Sequence, residues 1–358
     1  MNFPLNLHAR LSEQIAALAP VVAGKPFAMF TLARMMLKDG QSEKAFDLCN
    51  AALRLAPDNR KLAARIEAFI NATVPDWHIP MLLDEARNAA YDAALRRAVT
   101  PNSRVLEIGC GSGLLAMMAA RAGAREVGTC EMTPAIAHKA TEIVARNGYG
   151  DRVRVIAKHS SMLDAETDLG GRADILVSEI VDNKLLGEAV LSAHEHALRD
   201  LLKAGARVIP ARGAIRVALA HNGRQAPNFT KIAGFDLSAF RSLAPPVRDY
   251  LIGDELLTLR SDGADLFSFD FATARYCQPA EASRDCISSG GKVNGVAQWI
   301  ALSLDEVTQH ENRPNRGAYS AWGVMFYSFA REIDTVPGEE IRIYGAHDRG
   351  DLTIWADT

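Results

Sequence analysis

Two glutamates, Glu179 and Glu188, bracket the stretch Ser178-Glu179-Ile180-Val181-Asp182-Asn183-Lys184-Leu185-Leu186-Gly187-Glu188. A loop that turns at Gly187 can fold back and aim both carboxylates at one point. Paired carboxylates suit a cation with several N–H donors, above all a guanidinium, whose donors they accept in bidentate fashion. Arginine stays protonated (pKa above about 12), so its nitrogens are poor nucleophiles. A carboxylate pair draws the positive charge away from one nitrogen, which can then attack an electrophile held in line. The two acids repel, so one takes a raised pKa and can later collect the released proton.

A second constellation is Val105-Leu106-Glu107-Ile108-Gly109-Cys110-Gly111-Ser112-Gly113-Leu114-Leu115. An apolar run ends in glycines at every second position and an Ala/Met/Leu helix pattern follows, which predicts strand, tight turn and helix start. Glycines there let the backbone approach a ligand closely. A dinucleotide fingerprint needs G-x-G-x-x-G, and the position for its last glycine is Leu114. The observed order is E-x-G-x-G-x-G; from the turn alone, a dinucleotide stays open. Glu107 is placed to hold the backbone around the ligand. Glu131 ends the next predicted strand, where an acid accepts ribose hydroxyls. Ser160-Ser161-Met162 follows the third strand and could contact a base, although Ser is also a routine loop residue.

These residues need a scaffold, and residues 103–209 supply one. Short apolar runs at Val105–Ile108, Val127–Cys130, Val153–Ile156, Ile175–Val177 and Arg207–Ile209 alternate with helical stretches near 114–122, 134–147 and 190–203. This predicts a parallel sheet covered on both faces, with ligands at the carboxyl ends of its strands. Upstream, residues 73–102 read as linker and lid: after Pro80 a helix puts Asp84, Arg87 and Tyr91 on one face, over the glycine turn. Residues 1–72 look all-helical, and Phe27–Asp58 is similar to one tetratricopeptide repeat. One repeat cannot bury its own faces, so helices 8–19 and 59–71 are expected to complete its packing. The segment is either a peptide-docking module or a cap. After Pro210, residues 210–358 show alternating runs separated by turns, an antiparallel β domain with a partly helical insert at 222–260.

Composition bounds the rest. The 358 residues are 48% hydrophobic and 23% charged, so a sizeable core is expected. A net charge of -3 argues for no broad nucleic-acid face. The five cysteines, Cys49, Cys110, Cys130, Cys277 and Cys286, lack metal spacing and read as reduced thiols of a cytoplasmic protein. Neither a signal peptide in Met1–Arg10 nor a membrane span is expected. No metal site is expected either, since His194 and His196 stand at i, i+2 rather than the i, i+4 of a helical metal face.

On these residues the chain resembles the protein arginine N-methyltransferases, class I enzymes that use S-adenosylmethionine (AdoMet) and release S-adenosylhomocysteine. The resemblance covers about residues 77–358 and is strongest over 77–215. It implies a Rossmann-like sheet followed by an antiparallel β-barrel. Glu179 and Glu188 become the catalytic pair. Arg87, Glu107, Gly109, Gly111, Gly113, Glu131, Ser160, Ser161 and Met81 become cofactor contacts. His78, Met81, Asp84 and Arg87 match the family's helical cap, in which the arginine binds the cofactor carboxylate and the methionine packs beside the reacting centre. Ile209-Pro210 matches the join between domains, and Gly234-Phe235-Asp236-Leu237-Ser238 resembles the arm with which one subunit grips another, implying a homodimer through 222–260. The loop and the single repeat are most like atypical members that make monomethyl or symmetric dimethyl arginine. Asp182 stands where asymmetric dimethylating members have a small neutral residue, so it is expected to narrow and charge the substrate pocket. One departure is Ser320-Ala321-Trp322, where most members carry Thr-His-Trp: Ala321 has no side chain to pair with Asp84. Trp322 either walls the pocket or belongs to the barrel core. The substrate is expected to be an arginine in a protein or peptide; a free small guanidine or amine, or a weakly active scaffold, are the alternatives.

Overall fold

The computed structural model describes residues 14–15, 17–224, 230–243, 247–250, 256–274, 277–314 and 319–358. Most of the predicted helix at 8–19, and Met1–Arg10, lie outside them. Helices Pro26–Lys38, Ser42–Leu55 and Arg60–Asn71 pack on one another around Leu32, Ala33, Cys49, Leu62 and Ile66, with Ile15 added from upstream. Pro26 opens the first helix, and the Asn59 side chain caps the third by accepting from Leu62 N at 3.0 Å. The Phe46 ring meets His138 edge-on at 5.4 Å, joining this small core to the next domain.

The lid is not one helix. His78–Leu83 is a short helix with no buried residue, and Glu85–Ala98 is a second. Asp84 separates them in a non-helical conformation and caps the second, its Oδ1 accepting from Arg87 N at 3.0 Å.

Next comes the parallel sheet, with strands β1 (Arg104–Ile108), β2 (Glu126–Cys130), β3 (Val153–Ile156), β4 (Ala173–Ser178) and β5 (Leu202–Ile209) in the order β3-β2-β1-β4-β5. Helices Leu114–Arg121, Pro134–Arg146 and Val190–His196 connect strands of this sheet. The helix expected over 190–203 is shorter: a π-helical turn, Ala197–Leu201, ends it, and Leu202 already starts β5. Register brings Ile108 beside both Cys130 and Ser178. The glycine turn, Glu131 and Glu179 therefore all leave the sheet at one edge, next to the point between β1 and β4 where the strand order reverses, the ligand crevice of such sheets.

Through a cis Ile209–Pro210 bond the chain enters an antiparallel domain of β6 (Arg212–Asn222), β7 (Val247–Tyr250), β8 (Leu257–Leu259), β9 (Ala264–Asp270), β10 (Ala280–Ser303), β11 (Gln309–Glu311), β12 (Val324–His347) and β13 (Leu352–Ala356). Pairing runs β13-β12-β10-β6-β8, with β11 on β10, β7 on β12 and β9 on β6. β10 and β12 are each far longer than the apolar runs that announced them, and the register shifts between Ile287 and Ser289 and between Val293 and Gly295. The insert at 222–260, expected as partly helical, contributes strands β7 and β8 and a 3-10 turn at Ser238–Leu243; its residues 225–229, 244–246 and 251–255 lie outside the described part. One apolar core runs from the parallel sheet into the β domain, and the loop residues Leu185 and Leu186 are wholly inside it.

Candidate active site

The glycine turn is built as its sequence demands. Gly109, Gly111 and Gly113 have φ of 85°, 52° and 82°, the left-handed region that favours glycine. A Cβ on Gly109 would also stand 2.6 Å from Ile180 Cγ2, so glycine there lets the two-glutamate loop close against the turn. Beneath the turn Glu107 is buried and accepts a hydrogen bond from Thr129 Oγ1. Burial pushes its carboxyl up to about 8, against the pull of the bonds from Thr129 and the Ala116 backbone. At the edge of the turn Glu131 accepts from Gly111 N at 3.1 Å and from Thr133 N at 2.9 Å. His78, from the lid, lies near Gly111, and burial lowers its pKa against the upward pull of Glu131. Ser160 is buried in a short turn after β3, while Ser161 Oγ lies 2.7 Å from His159 Nδ1.

Arg87 is buried, and its Nη2 stands 3.0 Å from Glu179 Oε2. Its Nη1 donates to Met81 O at 2.7 Å and to Asn88 Oδ1 at 3.0 Å, and its guanidinium lies 5.8 Å from the Tyr91 ring centroid. Tyr91 OH in turn donates to Ser178 O at 3.0 Å, locking the backbone just before Glu179. Ser178 Oγ is 2.7 Å from Nε2 of the buried His194. Among the described residues, neither oxygen of Glu179 accepts a hydrogen bond. Burial pushes Glu179 up to about 7; Arg87 opposes the shift, and Glu188 and Asp84 add to it. Glu188 stands at the rim, also pushed up to about 7, first by lost hydration and then by Asp182 and Glu131. Glu188 and Asp84 are near enough for their charge to raise Glu179, and Asp182 and Glu131 act on Glu188 in the same way, while the Arg87 cation pulls Glu179 down.

The structure gives defined partners to three of the residues singled out from the sequence. Asp182 does not extend into open space: its Oδ1 accepts from Lys184 N at 3.1 Å and from Gly187 N at 3.0 Å, so it shapes the loop from within. Trp322 is buried and its indole N–H donates to Val181 O at 3.1 Å, which makes it core that holds the loop rather than an open wall. Asp84 does have a partner in the β domain: Ala321 donates its backbone N–H to Asp84 Oδ2 at 2.9 Å, so the missing side chain is bypassed. Residues that sequence reasoning passed over also border the site. His310 packs its ring 5.4 Å from that of Trp322. Met132, two residues past the end of β2, is 67% exposed, unusual for methionine beside a ligand crevice. The position of Met132 directly after Glu131 was the available signal.

Comparison with known proteins agrees with this fold. The family model for ribosomal protein L11 methyltransferase (PrmA) matches residues 92–209, the parallel-sheet domain with the helix before it. An arginine N(omega)-methyltransferase of Streptomyces achromogenes subsp. streptozoticus is 35% identical over 343 residues, covering 93% of each chain. Protein arginine N-methyltransferase 7 of Gallus gallus is 40% identical over 313 residues, covering 77% of this chain but only 45% of that protein, so this chain spans less than half of that animal relative. Among solved structures, the Trypanosoma brucei PRMT1 enzyme–prozyme complex with AdoHcy superposes with a TM-score of 0.70 at 22% identity, covering 79% of this chain and 92% of that one. Arabidopsis thaliana protein arginine methyltransferase 10 gives 0.63 at 18% identity, covering 75% and 86%. With a glycine turn, a lid and a two-glutamate loop gathered at one sheet edge, and a relative matched over nearly its whole length, the chain belongs to the protein arginine N-methyltransferase family.

Proposed function

We propose that the chain transfers a methyl group from AdoMet to a guanidinium nitrogen of arginine in a protein or peptide, giving S-adenosylhomocysteine and a monomethyl or symmetric dimethyl product. The observation that carries this reading is the pairing of Glu179 with a buried arginine of the chain itself, 3.0 Å away, with Glu188 near enough for its charge to raise Glu179. A site that already holds one guanidinium against a carboxylate is chemically suited to a second.

The left-handed glycines form a cradle that side chains would fill, and this fits AdoMet. Gly109, Gly111 and Gly113 would make room for it and Glu131 would take its ribose hydroxyls. Arg87, beside Met81, would meet its carboxylate, and Ser160 and Ser161, with Met132 and Met162, would border its base. Bound there, AdoMet supplies a methyl group on a sulfonium. Glu179 and Glu188 accept the N–H donors of the substrate guanidinium and draw its charge onto the nitrogens they hold, leaving the remaining nitrogen more nucleophilic. Their raised pKa suits either to take the proton that this nitrogen releases. Asp182, whose charge bears on Glu188, limits the room for a guanidinium that already carries methyl groups.

The exposed apolar side chains of the arm, Ile232, Phe235, Leu237 and Phe240, suit a homodimer contact. The N-terminal helices act as a tetratricopeptide-like unit. The five cysteines, all buried, suit a reducing cytoplasm. The name of the relative matched end to end speaks of arginine rather than protein arginine, which favours a second reading with free arginine as substrate. One assay separates them: tritiated-methyl transfer to free arginine and to arginine-containing peptides, with products identified by mass spectrometry. Peptide methylation without asymmetric dimethylarginine is expected. Faster turnover of free arginine would overturn the protein-substrate reading, and asymmetric dimethylarginine as main product would overturn the product assignment.

A further inference from the structure

Asn312 lies just after β11, 1% exposed, two residues after His310 and far in sequence from the glutamate loop and the lid. Its side chain is fully used. Oδ1 accepts from Ile300 N at 2.8 Å, and Nδ2 donates to Trp322 O at 3.1 Å and to Gly323 O at 2.9 Å. One amide thus ties β10 to the turn at residues 320–323. That turn touches both halves of the active site. Ala321 N donates to Asp84 of the lid at 2.9 Å. Trp322 Nε1 donates to Val181 O at 3.1 Å and Gly323 N donates to Asn183 Oδ1 at 2.8 Å, both in the two-glutamate loop. The circuit closes on itself: Asp84 caps the helix of Arg87 at 3.0 Å, Arg87 meets Glu179 at 3.0 Å, and Glu179 lies two residues before Val181.

We propose that Asn312 is a positioning residue which, through the 320–323 turn, keeps the cofactor lid and the guanidinium loop in common register. Backbone groups make most of these contacts, so the turn's own conformation is what matters, and Asn312 is a buried side chain that holds it from outside, beside the Ser320 hydroxyl that accepts from Trp322 N at 3.1 Å. A satisfied buried amide specifies one geometry, because any shift leaves a polar group unpaired. The inference rests on the guanidinium-clamp reading of Glu179 and Glu188. It predicts that lid and loop respond together to Asn312 and separately to the two arms of the turn.

The test compares Asn312→Asp, which keeps the acceptor for Ile300 N but loses both donations, with Trp322→Phe, which keeps the turn's backbone bonds and loses the indole donation to Val181 O together with some packing on His310. AdoMet affinity is measured by calorimetry, kcat and KM with an arginine peptide, and folding by thermal unfolding. Asn312→Asp is expected to weaken AdoMet binding and to lower kcat/KM for the peptide, each about tenfold or more. Trp322→Phe is expected to lower kcat/KM for the peptide with AdoMet affinity held within about twofold. A folded Asn312→Asp protein with unchanged affinity and kinetics, or one whose activity falls only in proportion to the unfolded fraction, overturns the proposal. If Asn312→Asp does not fold, Trp322→Phe decides: no kinetic change, or an equal loss of AdoMet affinity, overturns it. Glu188→Gln, run alongside, reports on the clamp alone, since near-normal turnover there would reject that reading whatever the Asn312 variants do.

Discussion

Glu179 and Glu188 are held at odds with ordinary carboxylates. Each is pushed up to about 7, by lost hydration first and by neighbouring acids next. A protonated carboxyl cannot clamp a cation, so the clamp assembles only as protons leave. The rate constant kcat/KM for an arginine substrate should therefore climb as pH rises through about 7 and level off above it; a pH profile at saturating AdoMet checks this, and a flat profile from pH 6 to 8 would reject it. The pair interacts, so the rise belongs to both groups together. Glu188→Gln should keep AdoMet binding by calorimetry and lose turnover by about 100-fold or more, the usual cost of removing one preorganised electrostatic group. The sign for stability is opposite. A folded-state carboxyl raised above its unfolded pKa favours the fold at low pH, and that advantage is lost as pH climbs through about 7. Glu188→Gln should therefore raise Tm at pH 8 relative to the native chain.

At the scale of elements, the glycine turn and the two-glutamate loop are a single fitted joint. Gly109 needs its left-handed φ of 85°, and its missing Cβ leaves space for Ile180. Gly109→Ala adds about 1–2 kcal/mol of backbone strain and a methyl group 2.6 Å from Ile180 Cγ2. AdoMet affinity should fall at least about tenfold by calorimetry. Ile180→Ala in the same chain should recover part of that loss, because it removes the clash and leaves the strain. An equal loss in single and double variants would show that the loop plays no part. The lid follows similar logic: Asp84 breaks one helix, caps the next, and by the break turns its second oxygen toward the β domain.

At the scale of the molecule, parts outside the cleft matter through what they cover. Phe235 and Phe240, 69% and 61% exposed on the arm, are costly to leave in water. If the arm seats on a second copy, Phe235→Asp with Phe240→Asp should convert a dimer into a monomer by light scattering. A native chain that is already monomeric would remove that assignment. The helical segment touches the parallel-sheet domain through Phe46 and His138. Its small core of Leu32, Cys49, Leu62 and Ile66 is separate from the main one, so it can act as its own unit.

The parallel sheet, its ligand edge and both glutamates were legible in the sequence. An apolar run ending in left-handed glycines has few other solutions, and an acid after such a strand has little choice of position. The order of motifs along the chain was enough to place the glycine turn, Glu131 and Glu179 at one sheet edge. Other features depended on contacts between distant residues. That Asp182 also shapes the loop from within shows only once the turn at Gly187 presents N–H groups for it to cap. Ala321 reads as a lost partner until its backbone N–H meets Asp84. Asn312 has no local signal at all, because its partners lie on β10 and beyond β11. Side-chain types and their periodicity are written in the sequence, since they act locally. Backbone donors are the same at almost every residue, so which of them a buried carboxylate or amide finds is decided only when the β domain closes on the sheet.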